Sequence, residues 1–281
     1  MPMTPSPITR RTLLDLGTIL AEAAAAEIMP RFRHLAAGEI RAKSGPMDLV
    51  TAADEAAERR IAAGLARLLP GAFILGEEAA ERDPAMLARA TAAEVTVTVD
   101  PVDGTWNFAS GLPLFACMAA IVVRGEIAAA AIHDPVGRDT AFALRGEGAW
   151  IEAEGGTQDL HVAAPAPVAR MSGAASWRML AEPQRSRVAR RLDRVAASFV
   201  YRCAGHEYRL AAGGHCHYLL FSKLMPWDHA PGVLLHREAG GFSARLDNRP
   251  YGLGETSGGL LCTPDEASFH ALREALVGED G

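Results

Sequence analysis

The stretch from residue 95 to residue 108 constrains this chain more than any other. It opens with five alternating Val and Thr residues, and this run of β-branched side chains predicts a strand. Asp100 and Asp103 follow, so two carboxylates lie three residues apart at the strand's end. Pro101 stiffens the turn and lacks an N–H, which lets the Val102 carbonyl point inward beside the carboxylates. Oxygen ligands spaced this closely suit a hard divalent cation.

The residues after Asp103 indicate an anion site beside the cation site. Gly104 permits a tight turn, and Thr105 can begin a short helix whose free N–H groups attract an anion. The combination suggests a metal-bound phosphate. In isolation, Asp-x-x-Asp-Gly is more typical of an acidic surface turn. Trp106 and Phe108, directly beside the charges, favour a turn that is anchored in a core.

The spacing of the acidic residues excludes two familiar loops. An EF-hand needs ligands at alternate positions and a closing Glu at the twelfth, which this stretch lacks. A phosphatase with an aspartyl nucleophile in an Asp-x-Asp pattern has one intervening residue, whereas two residues separate Asp100 from Asp103.

Composition and charge limit the fold and the partners. A chain of 281 residues with 49% hydrophobic content can form one large α/β domain or two closely packed ones. The net charge of -6 argues against nucleic acid or an anionic membrane as the main partner. Four scattered cysteines with no Cys-x-x-Cys pair indicate neither a zinc site nor a disulfide framework. No apolar run has the length of a membrane span or the pattern of a signal peptide, so we expect a cytoplasmic protein.

Residue periodicity predicts an order of elements in two parts. The first part, residues 1–165, reads as helices followed by an antiparallel meander; the second, residues 166–281, alternates strands and helices. A turn is expected at residues 43–48. Helices are predicted at residues 9–35, from near Asp54 to about residue 69, and at 84–89, 183–195, 228–239 and 264–277. Strands are predicted at residues 73–75, 95–99, 116–123, 127–133, 140–144, 149–152, 168–176, 199–201 and 259–263.

Three further acidic positions have ordinary explanations when taken singly. Asp54 lies near the start of a predicted helix, where a carboxylate caps free N–H groups. Glu77 and Glu78 follow a short strand, as at a solvated helix start. Asp228 reads as the N-cap of a helix that tolerates Pro231 in its first turn. The arginines between residues 185 and 194 read as a solvated helix face.

In their order and separation, these pieces resemble the signatures of the inositol monophosphatase family. The resemblance extends over roughly residues 10 to 275. It rests on Lys43, Asp48-Leu49-Val50-Thr51-x-Ala53-Asp54, Gly76-Glu77-Glu78, Asp100-Pro101-Val102-Asp103-Gly104-Thr105-x-Asn107-Phe108 and Trp227-Asp228-x-Ala230-x-Gly232. Each motif alone is weak, but the ordered set is specific.

The resemblance implies an α/β fold of the α+β type, a layered α-β-α-β-α sandwich of the sugar-phosphatase kind. It also implies Mg2+-dependent hydrolysis of a small phosphorylated metabolite by a metal-activated water, sensitivity to Li+, two or three Mg2+ per site, and a homodimer. By motif match, the metal ligands would be Glu77, Asp100, the Val102 carbonyl, Asp103 and Asp228. Gly104 and Thr105 would bind the phosphate, with Asp228 also near the substrate, and Asp54, Glu77 and Thr105 would activate the water.

This assignment is physically consistent, because four carboxylates in one pocket need compensating cations. Burying a single unpaired charge costs several kcal/mol, and two Mg2+ ions offset the four negative charges. Metal-activated water requires no covalent intermediate. Accordingly, no Ser, Cys or His has to act as a nucleophile.

The chain departs from the family pattern where the leaving alcohol is normally contacted. His206 stands where a hydroxyl residue is usual, and Phe221 stands seven residues before Asp228, where inositol-specific members place a Glu. We therefore predict that His206 binds substrate within a patch that runs to Arg209, and that myo-inositol 1-phosphate is not the best substrate. Histidinol-phosphatase, 3'-phosphonucleotide phosphatase and a non-catalytic, metal-bound regulatory protein are the alternatives.

Overall fold

The computed structural model describes residues 8–45 and 47–279. Its α-helices are α1 (Arg10–Ala23), α2 (Ala52–Leu68), α3 (Glu77–Arg82), α4 (Ala85–Ala92), α5 (Thr105–Ala109), α6 (Gln184–Arg191), α7 (Ala204–Ala212), α8 (Pro226–Glu238) and α9 (Glu266–Val277). Its strands are β1 (Ile40–Gly45), β2 (Asp48–Thr51), β3 (Phe73–Gly76), β4 (Val95–Asp103), β5 (Ala116–Val123), β6 (Glu126–Asp134), β7 (Asp139–Leu144), β8 (Gly148–Ala153), β9 (Gly156–Asp159), β10 (Ser172–Ser176), β11 (Ala197–Phe199), β12 (Tyr218–Phe221), β13 (Phe242–Arg245) and β14 (Leu260–Thr263).

The predicted antiparallel meander is confirmed as the larger sheet. This sheet has seven strands in the order β3-β4-β5-β6-β7-β8-β9, and every neighbouring pair is antiparallel except β3 and β4. The smaller sheet has five strands in the order β11-β10-β12-β14-β13. Within it, β11, β10 and β12 run parallel to one another, and β14 is antiparallel to both of its neighbours, β12 and β13.

Helices separate and cover the two sheets. The apolar faces of α1 and α2 pack on one face of the seven-stranded sheet. The other face shares a core with α7, α8 and the five-stranded sheet, so these two helices lie between the sheets. The outer face of the five-stranded sheet packs against α6 and α9. This arrangement confirms the expected α-β-α-β-α sandwich.

The first predicted helix is shorter than its periodicity. Helical spacing runs from residue 9 to about 35, with Pro30 expected to kink or end the helix, and in the structure α1 ends at Ala23 while a π-helical turn and a 3₁₀ turn carry the chain to Arg31. The expectation for Pro30 agrees with this ending, because proline lacks the N–H that an α-helix requires and its ring clashes with the preceding turn.

Short buried strands were the elements that periodicity missed. The sequence analysis did not predict β12 or β13, and four consecutive buried residues such as those of β12 show no alternation from which a strand could be read. It also missed the hairpin of β1 and β2. The turn predicted at residues 43–48 is therefore narrower, and its Pro46 lies outside the described residues.

We predicted that the arginines between residues 185 and 194 form a solvated helix face. This prediction is wrong for three of them. Arg187, Arg191 and Arg194 donate hydrogen bonds to carbonyl oxygens at the C-terminal end of α9, namely those of Val277, Gly278 and Ala275. Cations are favoured there because the last carbonyls of a helix have no partner within it. The arginines thus hold α9 against α6.

The predicted domain boundary at residue 165 lies between the last strand of the larger sheet and the first strand of the smaller one. The division into two domains stays a prediction. Within the described residues, no helix is both long enough and apolar enough to traverse a bilayer.

Candidate active site

A bulge at the end of β4 brings Asp100 and Asp103 to the same cavity. Asp100 pairs with Met118 of β5, but Asp103 pairs with Ala116, so β4 holds one more residue than its partner between these two pairs. In a regular strand, side chains three residues apart point to opposite faces. The extra residue removes that alternation. The two carboxylates therefore belong to an irregular strand end that runs through Asp103, and not to a turn beyond the strand.

Asp54 serves both as a helix cap and as a partner of Thr105. Its Oδ2 accepts hydrogen bonds from the Thr51 N–H at 2.9 Å and the Thr51 hydroxyl at 2.5 Å, which closes a capping box at the start of α2. Its Oδ1 accepts from the Thr105 hydroxyl at 2.9 Å. Burial raises the pKa of Asp54 to about 7, although the Thr51 hydrogen bond lowers it.

Glu77 is held by a buried lysine. It is the first residue of α3 and directly follows β3, whose last residue pairs with Val99, the residue before Asp100. The Lys43 ammonium contacts Glu77 at 2.9 Å and Glu78 at 2.6 Å. Burial by itself lowers the pKa of Lys43, but these carboxylates raise it well above its ordinary value. Lys43 is therefore a cation at the edge of the acidic site.

Asp228 approaches the other carboxylates from α8. Met225, and not Asp228, is the N-cap of α8, because Pro226 opens the helix and places Asp228 third. Gly232, one turn later, lets Tyr208 pack directly on the helix: a Cβ there would lie 1.9 Å from the Tyr208 ring. Burial and the nearby Glu77 and Asp103 raise the pKa of Asp228 well above its ordinary value.

The start of α7 closes the site on the side of Asp103. One Asp103 carboxylate oxygen accepts the Gly205 N–H at 2.5 Å and the Cys203 thiol at 3.1 Å. Burial raises the pKa of Asp103 to about 6 even though these donors lower it. Asn107 adds a second link, because its amide donates to the Tyr201 carbonyl at 2.8 Å.

These residues line one cavity of about 720 Å³. The acidic end of the cavity comprises Glu77, Asp100, Val102, Asp103, Gly104, Thr105 and Asp228, while Asp54 stands behind Thr105. Gly104 has a φ of 90°, a left-handed conformation that glycine adopts without strain, and it precedes the first residue of α5. The structure thus brings Glu77, Asp100, Asp103 and Asp228 to one wall from three separate segments of the chain, and a fourth segment supplies Asp54 behind Thr105.

The donor set of this wall fits a hard divalent cation. Its side-chain and carbonyl donors are all oxygen, as such cations prefer. Burial and the surrounding carboxylates raise the pKa of Asp100 well above its ordinary value, because charges of one sign accumulate there. Within residues 8–45 and 47–279, no group of three His, Cys, Asp or Glu side chains is already arranged to hold a metal. One carboxylate oxygen of Asp103 bonds to Gly205 and one of Glu77 bonds to Lys43 in this arrangement.

Comparison with known proteins agrees with this geometry. The model of the inositol monophosphatase family matches residues 10–277. The chain belongs to the inositol monophosphatase family. The inositol-1-monophosphatase of Mycobacterium leprae is 34% identical over 214 residues, 72% of this chain and 70% of that protein. That of Rhizobium meliloti is 31% identical over 246 residues, 83% of this chain and 84% of that protein.

Solved structures agree with the fold of this inositol monophosphatase family member. The extragenic suppressor protein suhB of Bartonella henselae has a TM-score of 0.75 at 23% identity, with 95% of this chain and 97% of that chain covered. The family assignment and the layered fold are therefore confirmed. The chain is a phosphoric monoester hydrolase, as predicted, and its family is generally metal-dependent.

His206 does not lie where a substrate-binding role requires. The Nε2 atom of His206 lies 3.1 Å from the Phe115 carbonyl oxygen. His206 is not among the residues that line the cavity. Burial lowers the pKa of His206, which favours its neutral form. Successive residues of an α-helix are rotated by about 100°. The next residue, Glu207, therefore faces the cavity in its place.

Sequence reasoning did not assign roles to Glu207 and Lys43. Glu207 is buried and accepts the Tyr201 N–H at 2.7 Å, which fixes the loop before α7. A signal for each was present: Lys43 belongs to the motifs that indicated the family, and Glu207 lay within the patch beside His206. Their partners, however, lie in other parts of the fold and could not be read from local spacing.

Proposed function

We propose that this member of the inositol monophosphatase family hydrolyses a small phosphate monoester with the help of Mg2+. The observation that carries the proposal is the cavity wall on which Glu77, Asp100, Asp103 and Asp228 stand beside Thr105. Four carboxylates in a partly enclosed cavity are tolerable only with cations, and a phosphate would bring two more negative charges to the same place.

The ligand roles follow from the match to the family motifs. Glu77, Asp100, the Val102 carbonyl, Asp103 and Asp228 would hold the Mg2+ ions, because they supply the oxygen ligands that this cation prefers. The N–H groups of Gly104 and Thr105 would bind phosphate oxygens. When bound, the cations lower the pKa of a water molecule, polarise the phosphoryl group and stabilise the leaving alkoxide.

The contact between Thr105 and Asp54 supports a role in activating the water. The Thr105 hydroxyl lies 2.9 Å from both Asp54 Oδ1 and the Val102 carbonyl oxygen, and when it donates its one proton to Asp54 its lone pairs can accept a hydrogen bond from water. Asp54, with a pKa near 7, is suited to take that proton at neutral pH. Glu77 would orient the same water from the other side.

The environment of Phe221 argues against inositol phosphate as the preferred substrate. Phe221 is 4% exposed and stacks on Tyr208 at 5.1 Å between ring centroids, so it offers no acceptor to a sugar hydroxyl. A lost charge-assisted hydrogen bond costs roughly 1.5–3 kcal/mol, about tenfold or more in affinity. Histidinol phosphate and nucleotide 3'-phosphates remain the alternatives within the same class.

A phosphate-release screen over a panel of metabolites tests the proposal. We expect turnover of at least one monoester with Mg2+, loss of turnover after EDTA treatment, and inhibition by Li+. Turnover that persists at full rate in EDTA would contradict the role of the metal. A clear preference in kcat/KM for myo-inositol 1-phosphate would contradict the inference drawn from Phe221.

We also propose a homodimer, which the family resemblance implies, and a cytoplasmic location, which the four scattered cysteines favour. Light scattering at several protein concentrations measures the oligomeric state, and a monomer throughout would refute the dimer.

A further inference from the structure

The cavity has a second wall, formed by loops of the five-stranded sheet. The strands β11, β10 and β12 are parallel neighbours, so their carboxyl ends lie at one edge of the sheet. Ligands of open α/β sheets bind at this edge, in the crevice beyond the strand ends. The loops that follow these three strands all contribute to the cavity lining.

Each of the three loops presents one apolar side chain to the cavity. Met179 follows β10, Val200 follows β11, and Phe221 is the last residue of β12. Met179 is 67% exposed and Val200 is 49% exposed, which places both among the most exposed large apolar residues described. Exposed apolar side chains gathered at a cavity mouth indicate a ligand with an apolar body.

Each loop also presents one cation. Arg178, Arg202 and Lys223 are exposed and line the cavity. Arg178 lies over the Trp177 ring, and Arg202 lies over the Trp106 ring while donating to the Met47 carbonyl at 2.8 Å. Among the described residues, no carboxylate forms an ion pair with these three cations, although Lys223 lies close enough to Asp228 to offset part of the rise in the pKa of Asp228. The charges of Arg178 and Arg202 are thus available to a ligand, and that of Lys223 to a ligand that lies beside Asp228.

We propose that the leaving group of the substrate combines an apolar body with a second anionic group, and that the Arg178, Arg202 and Lys223 loops bind it. This inference rests on the proposed phosphatase function and names its substrate class. The phosphate would lie at the acidic wall, the apolar body against Phe221, Val200 and Met179, and the second anion among the cations. A neutral polyol phosphate matches neither the apolar surface nor the charges.

Matched substrates isolate the anionic group. Benzyl phosphate, 4-carboxybenzyl phosphate and 4-(aminomethyl)benzyl phosphate share an apolar body and the same type of leaving alcohol, and glycerol 1-phosphate represents the polyols. With Mg2+ present, we expect kcat/KM for the carboxylated compound to exceed that for benzyl phosphate by at least tenfold. We expect the aminomethyl compound and glycerol 1-phosphate to rank below benzyl phosphate.

Variants of the loop residues test whether the cations cause the preference for the carboxylated substrate. Arg178→Gln and Lys223→Gln should each lower the ratio of kcat/KM between the carboxylated and plain benzyl compounds by at least threefold. Val200→Asp, at an exposed position, should lower the same ratio by adding a negative charge. Arg59→Gln, on the exposed side of α2, is the matched control and should leave the ratio unchanged. Because each ratio compares two substrates on one protein, partial loss of folded protein cancels.

The outcomes separate this inference from the proposed function. Turnover of all substrates with a ratio near one overturns the inference and leaves the phosphatase function intact. Variants that slow both benzyl substrates equally show that the cations merely offset the acidic wall, which also overturns it. If no monoester is hydrolysed, calorimetric binding of 4-carboxybenzyl and benzyl phosphonate decides, and equal affinities overturn the inference.

Discussion

The acidic wall and the loop wall of the cavity are built in different ways. On the acidic wall, the reactive groups come from short motifs, in which Asp54 bonds to Thr51 and Thr105 bonds to Val102 at 2.9 Å, and distant contacts such as that of Asp103 with Gly205 join these motifs. On the loop wall, the contacts join distant segments, as when Arg202 bonds to Met47 across 155 residues. The groups of the first wall are therefore encoded in local motifs, whereas the second wall depends on how the two sheets pack.

The difference has a consequence for function. A wall made of local motifs tolerates little change, because each residue touches the reacting groups. Loops at the carboxyl edge of a sheet can vary while the strands hold them in place. The reaction should thus depend on the acidic wall, and the choice of substrate on the loop wall.

Removing the Asp100 carboxylate should have the largest effect. Asp100→Asn deletes an expected Mg2+ ligand, and we expect kcat to fall by more than about 10³-fold. Steady-state phosphate release measures the loss, and metal analysis should show fewer bound ions. Asp15→Asn, in an exposed ion pair on α1, makes the same chemical change and should have no effect. Equal activity of the two variants would remove the acidic wall from the mechanism.

The Thr105 hydroxyl should come next. Thr105→Val keeps the shape of the side chain but cannot pass a proton to Asp54, so kcat should fall by about 10²-fold. Thr105→Ser retains the hydroxyl and should stay within about tenfold of the parent. If Thr105→Val and Thr105→Ser lower kcat equally, the hydroxyl has no part in activating water.

On the loop wall, Glu207→Ala should lower the free energy of unfolding and affect kcat much less. It leaves buried N–H groups at Tyr201 and Arg202 without their acceptor, at a cost of about 1–3 kcal/mol in the free energy of unfolding. Urea denaturation measures this cost. Glu147→Ala, on an exposed turn, is the control. A drop in kcat as large as that of Asp100→Asn would show that the two walls are not separable.

The smallest effect is the pH dependence of stability without metal. Burial raises the pKa of Asp54, Asp103 and Glu78 to about 7, 6 and 8. Each of these groups binds its proton more tightly in the folded chain than in the unfolded chain, so its contribution to stability falls as pH rises from about 4 to 8. Buried His229 and His236, whose pKa burial lowers to about 4, act in the opposite direction up to about pH 6.5, but the carboxyl groups outnumber them. In EDTA, we expect Tm to decrease by at least about 4 °C between pH 5 and pH 8.

Magnesium should reverse that decrease, because ions that bind only the folded chain stabilise it. The gain in Tm on adding Mg2+ should be larger at pH 8 than at pH 5, where protons compete for the same oxygens. Differential scanning fluorimetry measures both. In the Asp100→Asn variant, the Mg2+ effect should shrink, whereas in Glu207→Ala it should persist. A Tm in EDTA that rises from pH 5 to pH 8 would contradict the charge accumulation described here.

Much of the fold was predictable where residues follow a clear period. The helix α2, the meander of the larger sheet and the helix α9 were all foreseen, since their apolar residues recur at helical or strand spacing. The strand β12 was not, because all four of its residues are buried and no alternation marks it. The apolar period alone runs past the end of α1, whereas Pro30 could be recognised as the residue that kinks or ends the helix.

The candidate site divides in the same way. Asp100, Asp103 and Thr105 could be proposed from spacing, and Asp54, Glu77 and Asp228 from the family resemblance; the structure brings them to one region. His206 was misjudged because a helix start fixes neither its rotation nor its neighbours, and only packing against Phe115 shows that Glu207 faces the cavity.

The sequence by itself determined the family, the acidic groups and the order of the elements, because these follow from local spacing and from motifs in a fixed order. Only the tertiary structure decided that the bulge in β4 directs Asp100 and Asp103 to one cavity and that Lys43 holds Glu77. It also decided that three parallel strand ends bring cations to the cavity that the acidic wall lines. These features depend on register and on the packing of distant segments, which no stretch of sequence contains alone.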